Sequence, residues 1–462
     1  MPRAQATSAS GVVARRMVVV GLGTTGLSCA RWLHAQGAEV AVVDSRTHPP
    51  ALAQLQAEMP DVAAALGRFD DRLLATADEI VVSPGVAIST PELQQAAERG
   101  IPIVGDVELF ARASSKPTIA ITGSNGKSTV TTLVGRMLRQ GGIDAAVGGN
   151  LGVPVLDLLE ANADWFVLEL SSFQLETTSS LKLRAAAVLN LSPDHLDRYP
   201  SLDAYAAAKG RIFAHAERAV INRDDPLAAA LAAGVPDPIG FSLSAPADAQ
   251  DYGLYEHDGE PWIGRGERPL MRTAEVRMPG RHNLANALAA LALAQTAGVE
   301  AETACAVLRD FGGLPHRSEL VAERRGVRWI NDSKGTNPGA TAAALAGIAR
   351  AGGSAQGPAR TVLIAGGDGK GADFASLAPV VRDHARAVVL IGRDAPLIER
   401  ALAGTAALHH AKSMDQAVHI AAELAQPGDA VLLSPACASF DMFDDYQHRG
   451  RVFEAAVTEL GP

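Results

Sequence analysis

The residues with the clearest capacity for chemistry are Thr122-Gly123-Ser124-Asn125-Gly126-Lys127-Ser128-Thr129. They follow a short apolar run, 118–121, and open a helical pattern over 131–139. Glycines let a backbone approach an anion, and the N–H groups at a helix start bind phosphate oxygens. Lys127 supplies charge, and a hydroxyl such as that of Ser128 can reach magnesium. The motif departs from the full G-x-x-x-x-G-K-[ST] pattern. Only two residues separate Gly123 from Gly126, and Ile121 stands where a first glycine would fall. The alternative is a glycine turn beside a solvated lysine; the strand-to-helix context favours phosphate binding.

Other candidates also sit after apolar runs. Gly21-x-Gly23-x-x-Gly26 lies between a strand and a helix pattern, and Asp44 follows 23 positions after Gly21. That spacing suits an acid that binds ribose hydroxyls, and Arg46 beside it suits a phosphate or a carbonyl. The motif points to a nucleotide-type site, not specifically a nicotinamide one, and a purely structural turn is its alternative. Glu169 ends the run WFVLEL, where a hard cation would need oxygen ligands. His195 lies between Asp194 and Asp197, which turns a structural histidine toward a metal or substrate role. Lys209, within a helical run at 203–212, reads by pattern alone as a surface lysine. Four polar clusters remain: Gly280-Arg281-His282-Asn283, Leu314-Pro315-His316-Arg317, Asn331-Asp332-Ser333-Lys334 and Gly366-Gly367-Asp368-Gly369-Lys370. Cys437 in SPACAS reads as a small packed residue, because no base adjoins it.

The elements that must hold these groups are short strands and Ala/Leu-rich helices in alternation. The first block has strands at 17–20, 39–43 and 80–82, a helix at 27–36, and closes near 103–106. The second opens at Pro117 with strands at 118–121, 165–170, 186–189 and 219–221, and a helix at 284–296. Each strand ends in polar residues: TGSNGKS, ELSSFQ, NLSPDHLD and NRDD. This is the pattern of a parallel sheet with helical crossovers, whose ligands sit beyond the carboxyl ends of the strands. Residues 245–277 read as loops with a small antiparallel excursion. The third block has strands at 328–330, 361–365, 387–391 and 430–433, with an exposed helix end and loop at 347–360.

The totals bound the answer. A length of 462 residues suggests about three domains at roughly 150 residues each. With 47% hydrophobic and 20% charged residues, each can bury a core. No apolar run reaches the roughly 18 residues of a membrane span. The first ten residues lack the apolar centre of a secretory signal and read as a frayed tail. Three isolated cysteines argue against a disulfide framework or a zinc cluster, and for a reducing compartment. A net charge of −10 disfavours nucleic acid and anionic membranes. Any nucleotide must therefore meet locally concentrated cations, which Lys127, Arg317, Lys334 and Lys370 supply.

Taken in order, these motifs resemble the Mur ligase family nearly end to end. The matching segments are ITGSNGKST, GGN at 148–150, ELSSFQLE, SPDHLDRY, the AAK ending at Lys209, GRHN, GLPHR, NDSKGTN, GGDGKGADF and LSPACASFDMF. Among its members, GLGTTGLS, DSR at 44–46 and SPGV at 83–86 look like the D-glutamate-adding branch. The resemblance implies an α/β protein of three domains. These are a Rossmann-like domain over 1–106 for a UDP-linked substrate, a P-loop-type ATPase domain with a mostly parallel sheet over 107–313, and a Rossmann-like domain over 314–462 for the amino acid. It implies a cytoplasmic, monomeric ligase that uses ATP and two Mg2+ ions to join UDP-N-acetylmuramoyl-L-alanine to D-glutamate.

The same resemblance implies residue roles. Thr24, Thr25, Asp44, Arg46 and the Ser83-Pro84-Gly85 turn would hold the uridine diphosphate, and Asn150 the sugar-peptide part. Gly123, Ser124, Asn125, Gly126, Lys127, Ser128 and Thr129 would cradle the ATP phosphates. Asn283, Arg317, Asp332 and Lys334 would also contact ATP, with Asp332 on the ribose. Ser128 and Glu169 would hold one magnesium; His195 and a carbamylated Lys209 would hold a second. Thr336, Lys370, Ser439 and Tyr446 would surround D-glutamate. Lys127, His195, Lys209 and Arg317 would be catalytic. Gly335 and Tyr446 depart from the family pattern, the latter where an apolar aromatic is usual. Three rivals remain open at this point: a folate polyglutamate ligase, a nicotinamide-dependent oxidoreductase and a nucleotide-sensing scaffold. The first would lack a uridine-binding domain, and the second leaves TGSNGKS without a use.

Overall fold

The computed structural model describes residues 15–461 apart from 279, 352, 355, 356 and 359. The frayed tail expected at the start lies outside the described residues. The chain is a mixed α/β protein of three domains with mostly parallel sheets, and by contacts it divides into two compact units. One comprises residues up to 116 with 146–182; the other comprises 117–145 with 183 onward.

In the first unit, five strands run in the order Ala63–Leu66, Glu39–Asp44, Arg16–Val20, Glu79–Val82, Ile103–Val104. All pairs are parallel, with Val19 opposite Val42 on one side and Val81 on the other. A parallel strand covered on both faces is apolar throughout, and Met17 to Val20 are all buried. Strand order reverses at Arg16–Val20, so the loops leaving it and Glu79–Val82 flank a crevice at the carboxyl edge. Those loops carry Gly21 to Thr25 and Ser83 to Gly85. The strands Ala145–Gly149 and Trp165–Glu169 are neighbours, and the short helix Ser172–Glu176 follows them.

In the second unit, Thr118–Thr122, Ala185–Val188, Ala219–Asn222, Ile239–Phe241 and Tyr252–His257 succeed one another in parallel. Tyr252–His257, Glu260–Arg265 and Arg268–Arg272 then form an antiparallel meander. The excursion expected within 245–277 is therefore the larger part of that segment. Its turns carry Asp258-Gly259 and Gly266, all at positive φ, which accounts for its lack of helical period. The last sheet runs Glu319–Arg324, Val327–Asn331, Ala430–Leu433, Thr361–Gly366, Ala385–Ile391, Ala407–His410. It is parallel except for its first pair. Apolar clusters pack on its two faces, one around Leu345, Leu363 and Leu432 and one around Trp329, Val389 and Phe453. Over 347–360 the helix Pro338–Ala351 is followed by two short antiparallel strands, Gly353–Ser354 and Gly357–Pro358, not a plain loop.

Candidate active site

The phosphate-type loop leaves the buried strand Thr118–Thr122 and turns into the helix Lys127–Gln140. Gly126 caps that helix at φ +83° with no side-chain capping hydrogen bond, and the N–H groups of a helix start suit an anion. A Cβ at Gly126 would stand 2.3 Å from Asn286 Oδ1. Lys127 Nζ donates to the carbonyls of Gly123 at 2.8 Å and Ser124 at 2.9 Å, which holds the cation at the mouth of the loop. Arg317 Nη2 donates to Ser128 Oγ at 2.7 Å.

Gly126 and Arg317 border a cavity of about 160 Å³, lined also by Asn125, Thr129, Asn283, Asp332 and Lys334 among others. The fold thus brings the nucleotide candidates of two distant sequence blocks to one place. Asn286 belongs to the same lining and was missed. It lies one turn beyond Asn283 on the helix Arg281–Thr296, so the helical period carried the signal. Asp332 accepts from Ser434 Oγ at 2.6 Å and from the Ser318 N–H at 3.0 Å. Burial pushes its carboxyl up to about 6 despite these donors. A Cβ at 335 would meet Ser434 Oγ at 2.5 Å and Asp332 Oδ2 at 2.6 Å, which explains Gly335.

A second set adjoins the loop within the same unit. Asn337 Nδ2 donates to Asn125 Oδ1 at 3.1 Å and to Asp194 Oδ2 at 3.2 Å. Lys370 Nζ pairs with Asp194 Oδ1 at 2.6 Å. Among the amino-acid candidates, Ser439 is buried, and Thr336 and Lys370 are partly so. Tyr446 places its ring 4.0 Å beneath Lys334 Nζ and edge-on to His316. That contact ties Tyr446 to the nucleotide candidates as well. Cys437 is fully buried, as a packed residue should be.

Lys209 corrects the reading made from pattern. It is 1% exposed, with Nζ 3.2 Å from Thr122 Oγ1 and 4.6 Å from the centre of the Tyr205 ring. The helix Leu202–Gly210 is Ala-rich on every side, so its period did not reveal which face is covered. His195 holds a left-handed φ of +55°. Burial drives its imidazole down to about 4, against the pull of Asp194 and with the help of Lys370. A neutral ring is the form that binds a metal.

In the first unit, Gly21, Gly23, Thr24, Thr25, Asp44, Arg46, Ser83, Pro84, Gly85 and Asn150 line one cavity of about 660 Å³. Every expected uridine-diphosphate residue is therefore on its wall. Asp44 is buried, and burial opposes its ionisation. Hydrogen bonds from Arg46 and the Leu22 N–H outweigh that and hold its carboxyl below the ordinary value. Arg46 thus pairs with Asp44 and presents its half-exposed guanidinium from that anchor. Ser83 Oγ donates to the Gly21 carbonyl at 2.7 Å and locks the two loops together. Glu169 ends its strand buried, and Oε1 accepts from Asn150 Nδ2 at 2.7 Å.

The donor set can be tested against magnesium. The Ser128 hydroxyl in one unit and, taken by itself, the Glu169 carboxylate in the other are each a hard oxygen donor of the kind magnesium takes. Lys209 as an ammonium does not; it fits only if its nitrogen carries an added carboxylate.

Comparison with known proteins converges with this geometry. Residues 15–105 match the model of the Mur ligase MurD-like N-terminal domain, 121–294 the Mur ligase middle domain, and 316–437 the Mur ligase glutamate ligase domain. The chain is 53% identical to UDP-N-acetylmuramoylalanine--D-glutamate ligase of Nitrosococcus oceani, over 97% of each chain. It is 50% identical to the enzyme of that name from Pseudomonas putida, over 96% of this chain and 97% of that one. Among solved structures, MurC, the UDP-N-acetylmuramate-alanine ligase of Thermotoga maritima, superposes with a TM-score of 0.61 at 18% identity, covering 97% of this chain and all of that one. MurF ligase of Thermotoga maritima in complex with ADP gives 0.60 at 16% identity, over 97% of each. These structural likenesses show a shared fold.

Proposed function

This chain belongs to the Mur ligase family, and from that premise we infer that it is an ATP-dependent ligase of peptidoglycan precursor synthesis. It forms the amide bond between UDP-N-acetylmuramoyl-L-alanine and D-glutamate. The observation that carries the reading is that Asn125, Gly126, Thr129, Arg317 and Asp332 line one cavity, with Arg317 hydrogen-bonded to Ser128 and Lys127 folded back onto the glycine loop. No nicotinamide or folate-type reading uses both this cavity and the separate one at Gly21 to Asn150.

A carboxylate is a poor electrophile, so it must be activated. Its oxygen attacks the γ-phosphorus of ATP, ADP leaves, and an acyl phosphate forms. The amine of D-glutamate then attacks the acyl carbon; phosphate departs and the amine gives up a proton. Lys127 and Arg317 oppose the negative charge that gathers on the transferring group. The N–H groups of the helix start after Gly126 hold the phosphates, and Asp332 and Lys334 orient the nucleoside. Ser128, and His195 with a carbamylated Lys209, would hold magnesium, which would supply further charge neutralisation. Lys370, Ser439, Thr336 and Tyr446 receive D-glutamate. The buried thiols of Cys29, Cys305 and Cys437 suit a reducing compartment, and we place the enzyme in the cytoplasm. No helix among the described residues is long and apolar enough to cross a membrane.

The test is phosphate release from ATP and magnesium with UDP-N-acetylmuramoyl-L-alanine, comparing D-glutamate, L-glutamate, L-lysine and meso-diaminopimelate. Release with D-glutamate alone is expected, and Lys127→Ala should abolish it. Turnover retained in that variant would sink the assignment.

A further inference from the structure

Gln174 lies on the wall of the larger cavity, yet none of the motif readings gave it a role. It is 3% exposed and is the third residue of the helix Ser172–Glu176. Its carboxamide is held at both ends. Oε1 accepts from the Ser171 N–H at 3.1 Å and from Ser171 Oγ at 3.2 Å. Nε2 donates to Asp106 Oδ2 at 2.9 Å. Flipping the amide would set N–H against the Ser171 N–H and oxygen against the Asp106 carboxylate. Two like groups would then face each other at each end, so only one orientation is compatible with its neighbours.

Asp106 is itself an unusual residue to bury. It is 2% exposed, opens the helix Asp106–Ala113, and its Oδ1 is buried without a hydrogen-bond partner. Desolvation pushes its carboxyl up to about 6. The titratable neighbour facing it from the adjoining helix Thr24–Ala35 is the Cys29 thiol, which Asp106 and burial drive upward. A buried carboxylate with an orphaned oxygen costs stability. A helix start would be served as well by an exposed acid. The cost is explained if the acceptor is needed where it stands.

We propose that Asp106 is a positioning residue for the UDP-linked substrate: it fixes the Gln174 carboxamide so that its second N–H is presented to the ligand in the cavity. This rests on the reading that the cavity takes that substrate. A carboxamide has two N–H hydrogens, and Asp106 engages one. Without that acceptor only Ser171 holds the amide, at its oxygen end, so the N–H groups are less firmly aimed and a substrate oxygen meets a donor less of the time.

The experiment is steady-state kinetics with melting temperatures on the full chain. Asp106→Ala should raise KM for UDP-N-acetylmuramoyl-L-alanine about tenfold, the worth of one well-made hydrogen bond. Its kcat and its KM for ATP should stay within about twofold. Asp106→Asn, whose oxygen still accepts, should stay close to the wild type. Combining Asp106→Ala with Gln174→Ala should raise KM no further than Gln174→Ala alone. If D106A does not fold, the swapped pair decides. Gln174→Glu sets acceptor against acceptor and removes the N–H offered to the ligand, so it should lower the melting temperature and raise KM. Adding Asp106→Asn, whose N–H can meet the new carboxylate, should recover the melting temperature but leave KM raised. An unchanged KM in D106A, full additivity, or a swapped pair that recovers KM would overturn the positioning role. A wild type that forms no amide with this substrate would instead overturn the assignment of the cavity.

Discussion

Arg317 reaches Ser128: its Nη2 donates a 2.7 Å hydrogen bond to Ser128 Oγ, although 189 positions separate the two residues. The bond fastens the loop after Leu314 to the first turn of the phosphate-binding helix. In the proposed mechanism it would set a guanidinium where negative charge develops during phosphoryl transfer. Replacing Arg317 with Ala should lower kcat for phosphate release by about a hundredfold or more. Arg317→Lys should recover only a small part, because a lysine cannot reproduce the planar fork. Equal kcat for the wild type and the alanine variant would remove Arg317 from the chemistry.

Asp332 makes nucleotide affinity depend on pH. Burial raises its carboxyl to about 6, so it is ionised at pH 8 and gains a proton as pH falls through that value. In the proposed role, the ionised form would accept from ribose hydroxyls. KM for ATP should therefore climb as pH falls from 7 to 5. The stability sign is opposite. A carboxyl raised in the folded state favours folding at low pH and loses that contribution as pH rises through about 6. Asp332→Asn should raise KM for ATP at pH 8 and flatten its rise below pH 6. A profile of KM in the variant that still climbs like the wild type would assign the effect to another group.

Lys370 and Asp194 pair at 2.6 Å with side chains only 16% and 9% exposed. Lys370→Met leaves the Asp194 carboxylate without its ammonium. Breaking a buried pair on one side costs about 3 kcal/mol or somewhat more. Urea unfolding should show that loss, and KM for D-glutamate should rise. Asp194→Asn in the same background should restore part of the stability but not the affinity for D-glutamate. Recovery of both would make Lys370 a structural residue.

The sequence made the architecture and most of the wall residues legible for a physical reason. Parallel strands buried on both faces are continuous apolar runs, and their carboxyl ends are marked by abrupt polarity, as at Thr122, Val188 and Leu433. Partnership was less visible. Nothing local in Asp44-Ser45-Arg46 told that the arginine would close on the aspartate two residues away. In the sequence Asp106 marks only the close of the first block, and only the fold places Gln174 upon it, 68 positions on. Edge strands such as Ala407–His410 and Ala63–Leu66 were missed because they are half exposed and lack a buried run. Lys209 was misread because burial of a charge among alanines follows from tertiary contacts, not from period.

That burial leads to the last test. Lys209 is 1% exposed and adjoins Thr122 and the Tyr205 ring. An ammonium so placed is costly to desolvate. It also cannot ligate a cation. Carbamylation would resolve both difficulties: carbon dioxide would add to the neutral amine, a proton would leave, and the product would offer carboxylate-type oxygens to magnesium. Lys209→Ala should therefore be inactive, and short carboxylates such as acetate or formate should restore part of the phosphate release by filling the vacated space with an oxygen ligand. The intact wild-type protein should show a mass gain of one carbon dioxide under non-denaturing conditions, absent in the variant. Full activity of Lys209→Ala without added carboxylate would take Lys209 out of the metal site and leave its burial to packing against Tyr205.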